Sequence, residues 1–184
     1  MDTRDKILEV TAELVMRDGY NAFSYKDISK KIGIKTSSIH YHFPTKSDLI
    51  LSLIQDACVK QNEIISAVEA STPIRKLDVF MDFYLSLARQ GKICMVVALL
   101  SDINSMDSRV KDELKSFYEL LINWLQSILE DGLKREQMVF ATTPLVKATE
   151  IMSAVAMIPI LSRIGTNQSF EQIVESIKNS IMIN

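Results

Sequence analysis

Glycine, proline and cysteine are scarce in this chain of 184 residues, which contains five, four and two of them. Because glycine and proline most often end helices and form turns, their scarcity favours long helices over a many-turned β fold. The two cysteines, Cys58 and Cys94, form neither a Cys-x-x-Cys motif nor a disulfide framework. Such sparse cysteine is typical of proteins in a reducing cytosol.

Long apolar runs are also absent, and so is a basic N-terminal region followed by an apolar core of the kind that directs secretion. The longest apolar run, around residues 154–161, is far shorter than the roughly 20 residues that a membrane span needs. We therefore expect a cytoplasmic protein with no membrane partner. Its composition, 47% hydrophobic and 24% charged, is that of a globular chain.

The sequence shows no nucleophile–base pair, no metal-ligand cluster and no phosphate-binding loop, so we expect neither an enzyme nor a cofactor. The two histidines, His40 and His42, stand two positions apart on a predicted helix and point in different directions. No cysteine or carboxylate lies at ligand spacing from them, and we expect no metal site.

Positive charge is concentrated in one short segment of a chain whose net charge is −2. Residues 26–46 hold five lysines against one acidic residue, Asp27. A local basic cluster on an otherwise acidic protein is expected where one face meets phosphate. A solvated surface can have the same composition, so the charge alone leaves both interpretations open.

Apolar residues recur at intervals of three and four along most of the chain, which predicts about nine helices. Two capping boxes, Ser24–Asp27 and Thr45–Asp48, mark helix starts, and Pro44 ends a very short helix at Phe43. The apolar stripe of the first helix is Ile7, Leu8, Thr11, Leu14 and Val15. The predicted helices span about 3–17, 24–32, 36–43, 45–69, 74–89, 93–103, 110–132, 143–163 and 169–182. At 93–103 the residues are apolar on nearly all sides, so periodicity alone leaves a strand open as the alternative.

Two short helices joined by a turn at Gly33, and preceded by a third, form a helix-turn-helix. At 100° per residue, Ile39 and Phe43 face the core while Ser37 and Tyr41 face outward. Small polar and aromatic side chains on such a helix can enter a DNA major groove, which is about 12 Å wide.

The run from Gly33 to Leu49, GIKTSSIHYHFPTKSDL, resembles the signature of the TetR family of transcriptional regulators. The resemblance covers about residues 3–50. It implies an all-α fold, with a three-helix DNA-binding domain at 1–47 joined by a long helix to a larger ligand-binding and dimerisation domain at 48–184. It also implies a ligand-responsive regulator, a repressor, that binds a palindromic operator as a dimer and is released by a small molecule.

The same resemblance implies which side chains contact DNA. Base or near-base contacts come from Lys26, Lys35, Thr36, Ser37 and His40; phosphate contacts come from Ser24 or Tyr25, Ser38, Tyr41 and Lys46. His40 departs from the family pattern, which most often has tyrosine there. Lys46 lies in the first turn of a helix, where a cation is mildly unfavourable unless it meets an anion, so its position suggests a phosphate contact.

For the C-terminal half, the resemblance implies a homodimer formed by the last two helices, 143–163 and 169–182, and a pocket for an unidentified effector. Predicted interface side chains include Leu145, Ala148, Met152, Val155 and Ala156. The pocket candidates, which suit a plain core equally well, are Phe80, Phe83, Tyr84, Cys94, Met95, Phe117, Trp124 and Met152. No charged residue stands out as a ligand anchor. The alternative is a DNA-binding protein without a ligand, controlled by a protein partner or by oxidation or alkylation of Cys94.

Overall fold

In the computed structural model, the described residues, 2–165 and 170–183, form nine α-helices and one short 3₁₀ helix, with no β-strand. The helices are α1 (Thr3–Asp18), α2 (Tyr25–Ile32), α3 (Thr36–His42), α4 (Lys46–Ala67), α5 (Pro73–Arg89), α6 (Met95–Leu100), the 3₁₀ helix (Ile103–Ser105), α7 (Ser108–Lys134), α8 (Pro144–Ser162) and α9 (Phe170–Asn179). The predicted all-α class is confirmed. The last helix was expected to begin at Ser169, which lies outside the described residues.

The chain divides into two compact units, the first of which comprises Met1–Gln61 and Cys94–Tyr118. In this unit α1 packs against α2 and α6, and α2 packs against α3. Its core is formed by side chains that are almost completely buried, among them Ile7, Leu14, Val15, Ile28, Ile39, Phe43, Leu49 and Leu53. Burial of one large apolar side chain contributes about 1.5–3 kcal/mol, so this shared core fixes the orientation of α3.

The second unit comprises Asn62–Ile93 and Glu119–Asn184. Here α5 packs against α8 and α9, and α8 against α9. The Tyr84 hydroxyl donates to the sulfur of Met152 over 3.0 Å, which connects α5 to α8. An ion pair of 2.7 Å between Lys178 and Asp78 joins α9 to α5.

Residues 94–118 pack with the N-terminal helices, although they are distant from them along the chain. Helix periodicity predicts the existence of a helix but not its neighbours, so this association could not be seen in the sequence. The division into domains at 1–47 and 48–184 stays a prediction.

One helix of the described residues, α8, is long and apolar enough to cross a membrane when judged by length and composition. About a third of its most apolar stretch is buried in the fold. Core helices of soluble proteins meet the same criterion, so length and composition do not by themselves place α8 in a bilayer.

Candidate nucleic-acid interface

The helix-turn-helix is held in place by capping at both of its ends. The Asp27 carboxylate accepts hydrogen bonds from the backbone N–H of Ser24 (2.9 Å) and from its hydroxyl (2.7 Å). These bonds lower the pKa of Asp27 below its ordinary value. At the start of α4, the Asp48 carboxylate accepts from the Thr45 hydroxyl over 2.7 Å. Both predicted capping boxes are confirmed, and they fix where α2 and α4 begin.

The turn between α2 and α3 depends on Gly33, which adopts the left-handed conformation with φ of 71°. A glycine takes this conformation without the steric cost that a Cβ would add. The turn therefore closes tightly enough for α3 to pack on α2, as the predicted motif requires.

Helix α3 buries one side and exposes the other. Ile39 and Phe43 are 0% and 2% exposed, so the predicted core positions are confirmed. Ser37 is exposed, and Tyr41 is 84% exposed despite its large apolar ring. The outward face is therefore made of hydroxyl and phenol groups that remain available to a partner.

Tyr25 closes the C-terminal end of α3. Its hydroxyl donates to the carbonyl oxygen of Phe43 over 2.8 Å, and burial raises its pKa to about 12. Its ring lies 4.7 Å from that of His40, whose Nδ1 is 3.3 Å from the carbonyl oxygen of Pro44. Ser24 and Tyr25 were predicted as alternatives for one phosphate contact. Ser24 is exposed, whereas the Tyr25 hydroxyl would have to give up its bond to Phe43 in order to donate to a phosphate.

Lys46 lies inside a small cage rather than extending into solvent. Its ammonium donates to the carbonyl oxygen of Phe23 over 2.7 Å and stands 4.2 Å and 4.6 Å from the ring centroids of Phe23 and Tyr20. Burial lowers the pKa of this ammonium. The cage fastens the first turn of α4 to the loop between α1 and α2. A phosphate contact by Lys46 stays a prediction, and it would require the ammonium to leave these three partners.

The remaining predicted DNA contacts lie on α3, except Lys26, which lies in the first turn of α2, and Lys35, which immediately precedes α3. Lys26, Lys35, Thr36 and His40 are exposed, and Ser38 is half-buried. Arg4 was not among the predicted residues, yet its guanidinium carbon stands 5.5 Å from the Phe43 ring centroid and thus beside the end of α3. The sequence does show a cation in the first turn of α1, but it does not show how far that side chain lies from α3.

The pocket candidates separate into two groups. In the second unit, the Phe80 ring packs against Tyr84 (5.4 Å between centroids) and Trp124 (6.0 Å), with Met152 bonded to Tyr84. Phe83, in contrast, is exposed. In the first unit, Cys94, Met95 and Phe117 are buried. A ligand contact by these eight side chains stays a prediction.

The side chains predicted to form the dimer interface are mostly committed to the chain's own core. Ala148 and Val155 are fully buried and Met152 nearly so, because they face the core of the second unit. Such side chains cannot meet a second copy. Leu145, also in the predicted set, is exposed, and so are Val146 and Met157, which lie on the side of α8 opposite Ala148 and Val155. Periodicity identified the apolar stripe of α8 correctly but could not separate an internal from an external partner.

Comparison with known proteins places this geometry in a family. The model of the bacterial regulatory proteins of the tetR family matches residues 7–53, which include α2, α3 and most of α1. A TetR transcriptional regulator from Legionella pneumophila is 33% identical, with 98% of both chains covered and a TM-score of 0.87. A TetR-family regulator from Agrobacterium tumefaciens is 29% identical, with 98% of this chain and 97% of that one covered and a TM-score of 0.90.

Similarity to a curated relative is more limited in extent. A helix-turn-helix-type transcriptional regulator from the lacX 3′ region of Lactococcus lactis is 24% identical over 123 residues. The match covers 64% of this chain and spans 63% of that relative's own length.

Proposed function

This chain belongs to the TetR family of bacterial regulatory proteins, which are transcriptional regulators rather than enzymes, and on that premise we propose that it is a ligand-responsive repressor. Two copies bind the two halves of a palindromic operator, and a small molecule shifts the dimer to a state that releases DNA. The observation that carries the proposal is the outward face of α3, where Ser37 and Tyr41 are exposed above the buried Ile39 and Phe43.

On this face, the chemistry of the side chains suits a DNA groove. Thr36 and Ser37 lie in the first turn of α3, the part of a recognition helix that contacts base edges in helix-turn-helix proteins. Lys26 and Lys35 are exposed and add positive charge for the phosphates on either side of the groove. We assign sequence preference to the hydroxyls of Thr36 and Ser37, and general affinity to the lysines.

The exposed apolar side of α8 supports the proposed dimer. Val146 and Met157 are each close to half-exposed, and both lie on the side of α8 that faces away from the core of the unit. Apolar side chains grouped on one side of a helix are typical of a protein–protein interface. A second copy that docks its own α8 and α9 there would cover them by two-fold symmetry.

Control by chemistry at Cys94 is less well supported than control by a small molecule. Cys94 is 3% exposed and immediately precedes α6, within the core of the first unit. A thiol that senses oxidants or electrophiles needs solvent access and a stabilised thiolate. Burial denies it that access, so we retain the small-molecule repressor as the proposal.

The proposal is tested with duplexes selected from a random library by the purified protein. Ser37→Ala should weaken the selected duplex by about 1–3 kcal/mol and relax the preference at one base pair of each half-site. Ser66→Ala, at an exposed serine on α4, is the matched control and should leave both unchanged. Absence of salt-sensitive affinity for every duplex would overturn the proposal.

A further inference from the structure

A cleft of about 340 Å³ lies in the first unit, between α6, the 3₁₀ helix and the beginning of α7. Its lining comprises Val96, Leu100, Ile103, Lys111, Leu114, Lys115 and Tyr118. None of the eight pocket candidates predicted from the sequence is among them. The volume falls at the lower end of the roughly 300–1,000 Å³ that small-molecule sites occupy.

The cleft combines apolar walls with positive charge on one side. Leu114 and Val96 form its buried base, and Leu100 stays 49% exposed at its edge, so water now covers an apolar surface that a ligand could cover instead. Lys111 and Lys115 stand one turn apart on α7 and both line the cleft, as does Tyr118 two turns from Lys111. Among the described residues, no carboxylate belongs to the lining.

Lys111 lacks a charge partner of its own. Among residues 2–165 and 170–183, no carboxylate lies within ion-pair distance of its ammonium, and its side chain is half-buried. A half-buried ammonium beside apolar walls favours an anion that brings its own apolar body, because both surfaces then lose contact with water together.

We propose that this cleft binds a small amphipathic anion, with an apolar body against Val96, Leu100 and Leu114 and an acidic head at Lys111. The role of this anion as effector rests on the proposed function of the protein as a ligand-responsive repressor. The binding itself does not depend on that function and can be measured without DNA.

Two contacts connect the walls of the cleft to the helix-turn-helix. Asp102, between the lining residues Leu100 and Ile103, accepts a hydrogen bond of 2.8 Å from the side-chain amide of Asn21, in the loop between α1 and α2. Arg109, just before Lys111, donates to Asp48 at the start of α4 over 3.3 Å. A ligand that moves either wall therefore alters the elements that hold α3.

Octanoate is the probe, measured by titration calorimetry on the full chain in the absence of DNA, against octanol and octylamine of equal chain length. We expect octanoate to bind and both comparison compounds to bind at least tenfold more weakly, since they lack the charge that Lys111 attracts. Octanol binding as tightly as octanoate would overturn the assignment of an anionic ligand.

Variants test the position of the site. Lys111→Met should weaken octanoate about tenfold and Lys111→Arg should retain most of the affinity, because arginine keeps the charge. Lys134→Met, at an exposed lysine in the last turn of the same helix, is the matched control and should bind as the parent does. Leu100→Glu, at a partly exposed edge position, should also abolish binding without disturbing the buried base.

Equal octanoate affinity in the parent, Lys111→Met and Leu100→Glu would overturn the site. A separate measurement addresses the effector role: octanoate at saturating concentration should lower the affinity for the selected duplex in the parent and leave it unchanged in Lys111→Met. Binding that depends on Lys111 but leaves DNA affinity unchanged would support the cleft and contradict the ligand response in the proposed function. The two failures are therefore distinguishable.

Discussion

Helices α3 and α8 each bury one side and expose the other, but their exposed sides differ in chemistry. On α3 the exposed side carries Ser37 and a tyrosine, whereas on α8 it carries the apolar Val146 and Met157 beside the polar Ser153. The buried sides, in contrast, are alike and purely apolar. The buried side of a helix thus determines where it packs in its own chain, and the exposed side indicates which kind of partner it can bind.

The physical reason lies in what water does at each surface. Hydroxyl groups on α3 keep their hydrogen bonds with water and can exchange them for bonds to bases and phosphates at little cost. Apolar groups on α8 gain no such bonds, so removing them from water is favourable at about 25 cal/mol per Å². We therefore expect DNA binding through α3 to respond to changes of charge and hydrogen bonding. Dimerisation through α8 should respond to any change that introduces a charge.

The largest expected effect follows from placing a charge on the exposed side of α8. Val146→Glu would bring an unpaired carboxylate into the proposed dimer interface, where such a group costs about 3–5 kcal/mol. We expect the dimer to dissociate at micromolar concentration, as measured by sedimentation equilibrium, and operator affinity to fall with it.

The control for this variant makes the same substitution elsewhere. Val59→Glu changes a valine on α4 that is 58% exposed, against 46% for Val146. It should leave the association state unchanged. If both variants stay dimeric, the exposed side of α8 does not form the interface. The exposed side of α8 then has no binding partner to set against the DNA bound by α3.

An intermediate effect is expected from two lysines that the family resemblance assigns to DNA, Lys35 to a base or near-base contact and Lys46 to a phosphate contact. Lys35→Ala removes an exposed cation beside α3 and should reduce the salt dependence of DNA affinity by about one unit of slope while leaving stability unchanged. Lys46→Ala empties the cage formed by Tyr20 and Phe23 and should cost about 1–2 kcal/mol of the free energy of unfolding, with little change of slope.

Denaturant titration and DNA binding over a range of salt concentrations measure the two quantities separately. The reverse result, in which Lys46→Ala lowers the slope by one unit and leaves stability intact, would show that the ammonium leaves its cage to bind phosphate. That outcome would favour the role that the family resemblance implies over the role that the structure supports.

These lysines also show how far the sequence could predict the molecule. The stripe of α1, from Ile7 to Val15 and including Thr11, is buried as expected, because helix periodicity depends only on local geometry. The capping boxes and the turn at Gly33 were predictable for the same reason. The Lys46 cage was not, since its partner Phe23 lies 23 positions earlier, and only the folded chain brings the two together.

The same limit applies to the cleft and to α8. Lys111 and Tyr118 share one face of α7, which periodicity reveals, but the opposite wall comes from α6 and the 3₁₀ helix. Likewise, the sequence revealed the apolar stripe of α8 but not whether that stripe packs within the chain or against a second copy. Local order is therefore predictable from the residues, whereas the choice between partners for an apolar or charged side chain requires the tertiary structure.

The smallest expected effect concerns pH, because the cap of α2 contains a group that titrates and the cap of α8 does not. Asp27 caps α2 through Ser24, and these hydrogen bonds lower its pKa from the ordinary value of 3.8. Because the carboxylate is stabilised in the folded state, its contribution is present above that value and is lost as the pH falls through the lower pKa of the folded state. Helix α8 begins instead with Thr143, whose hydroxyl accepts from the backbone N–H of Val146 over 3.4 Å and does not titrate.

The stability penalties of Asp27→Asn and Thr143→Ala, measured by denaturant titration at a fixed protein concentration, should therefore diverge with pH. The penalty of Asp27→Asn should be constant at neutral pH and shrink toward zero as the carboxylate of the parent protein becomes protonated. That of Thr143→Ala should stay the same throughout, because neither hydroxyl nor methyl changes charge. A penalty for Asp27→Asn that persisted to about pH 2 would mean that the carboxylate charge does not cap α2. The helix that supports α3 would then be held by its apolar side and by uncharged hydrogen bonds, as α8 is.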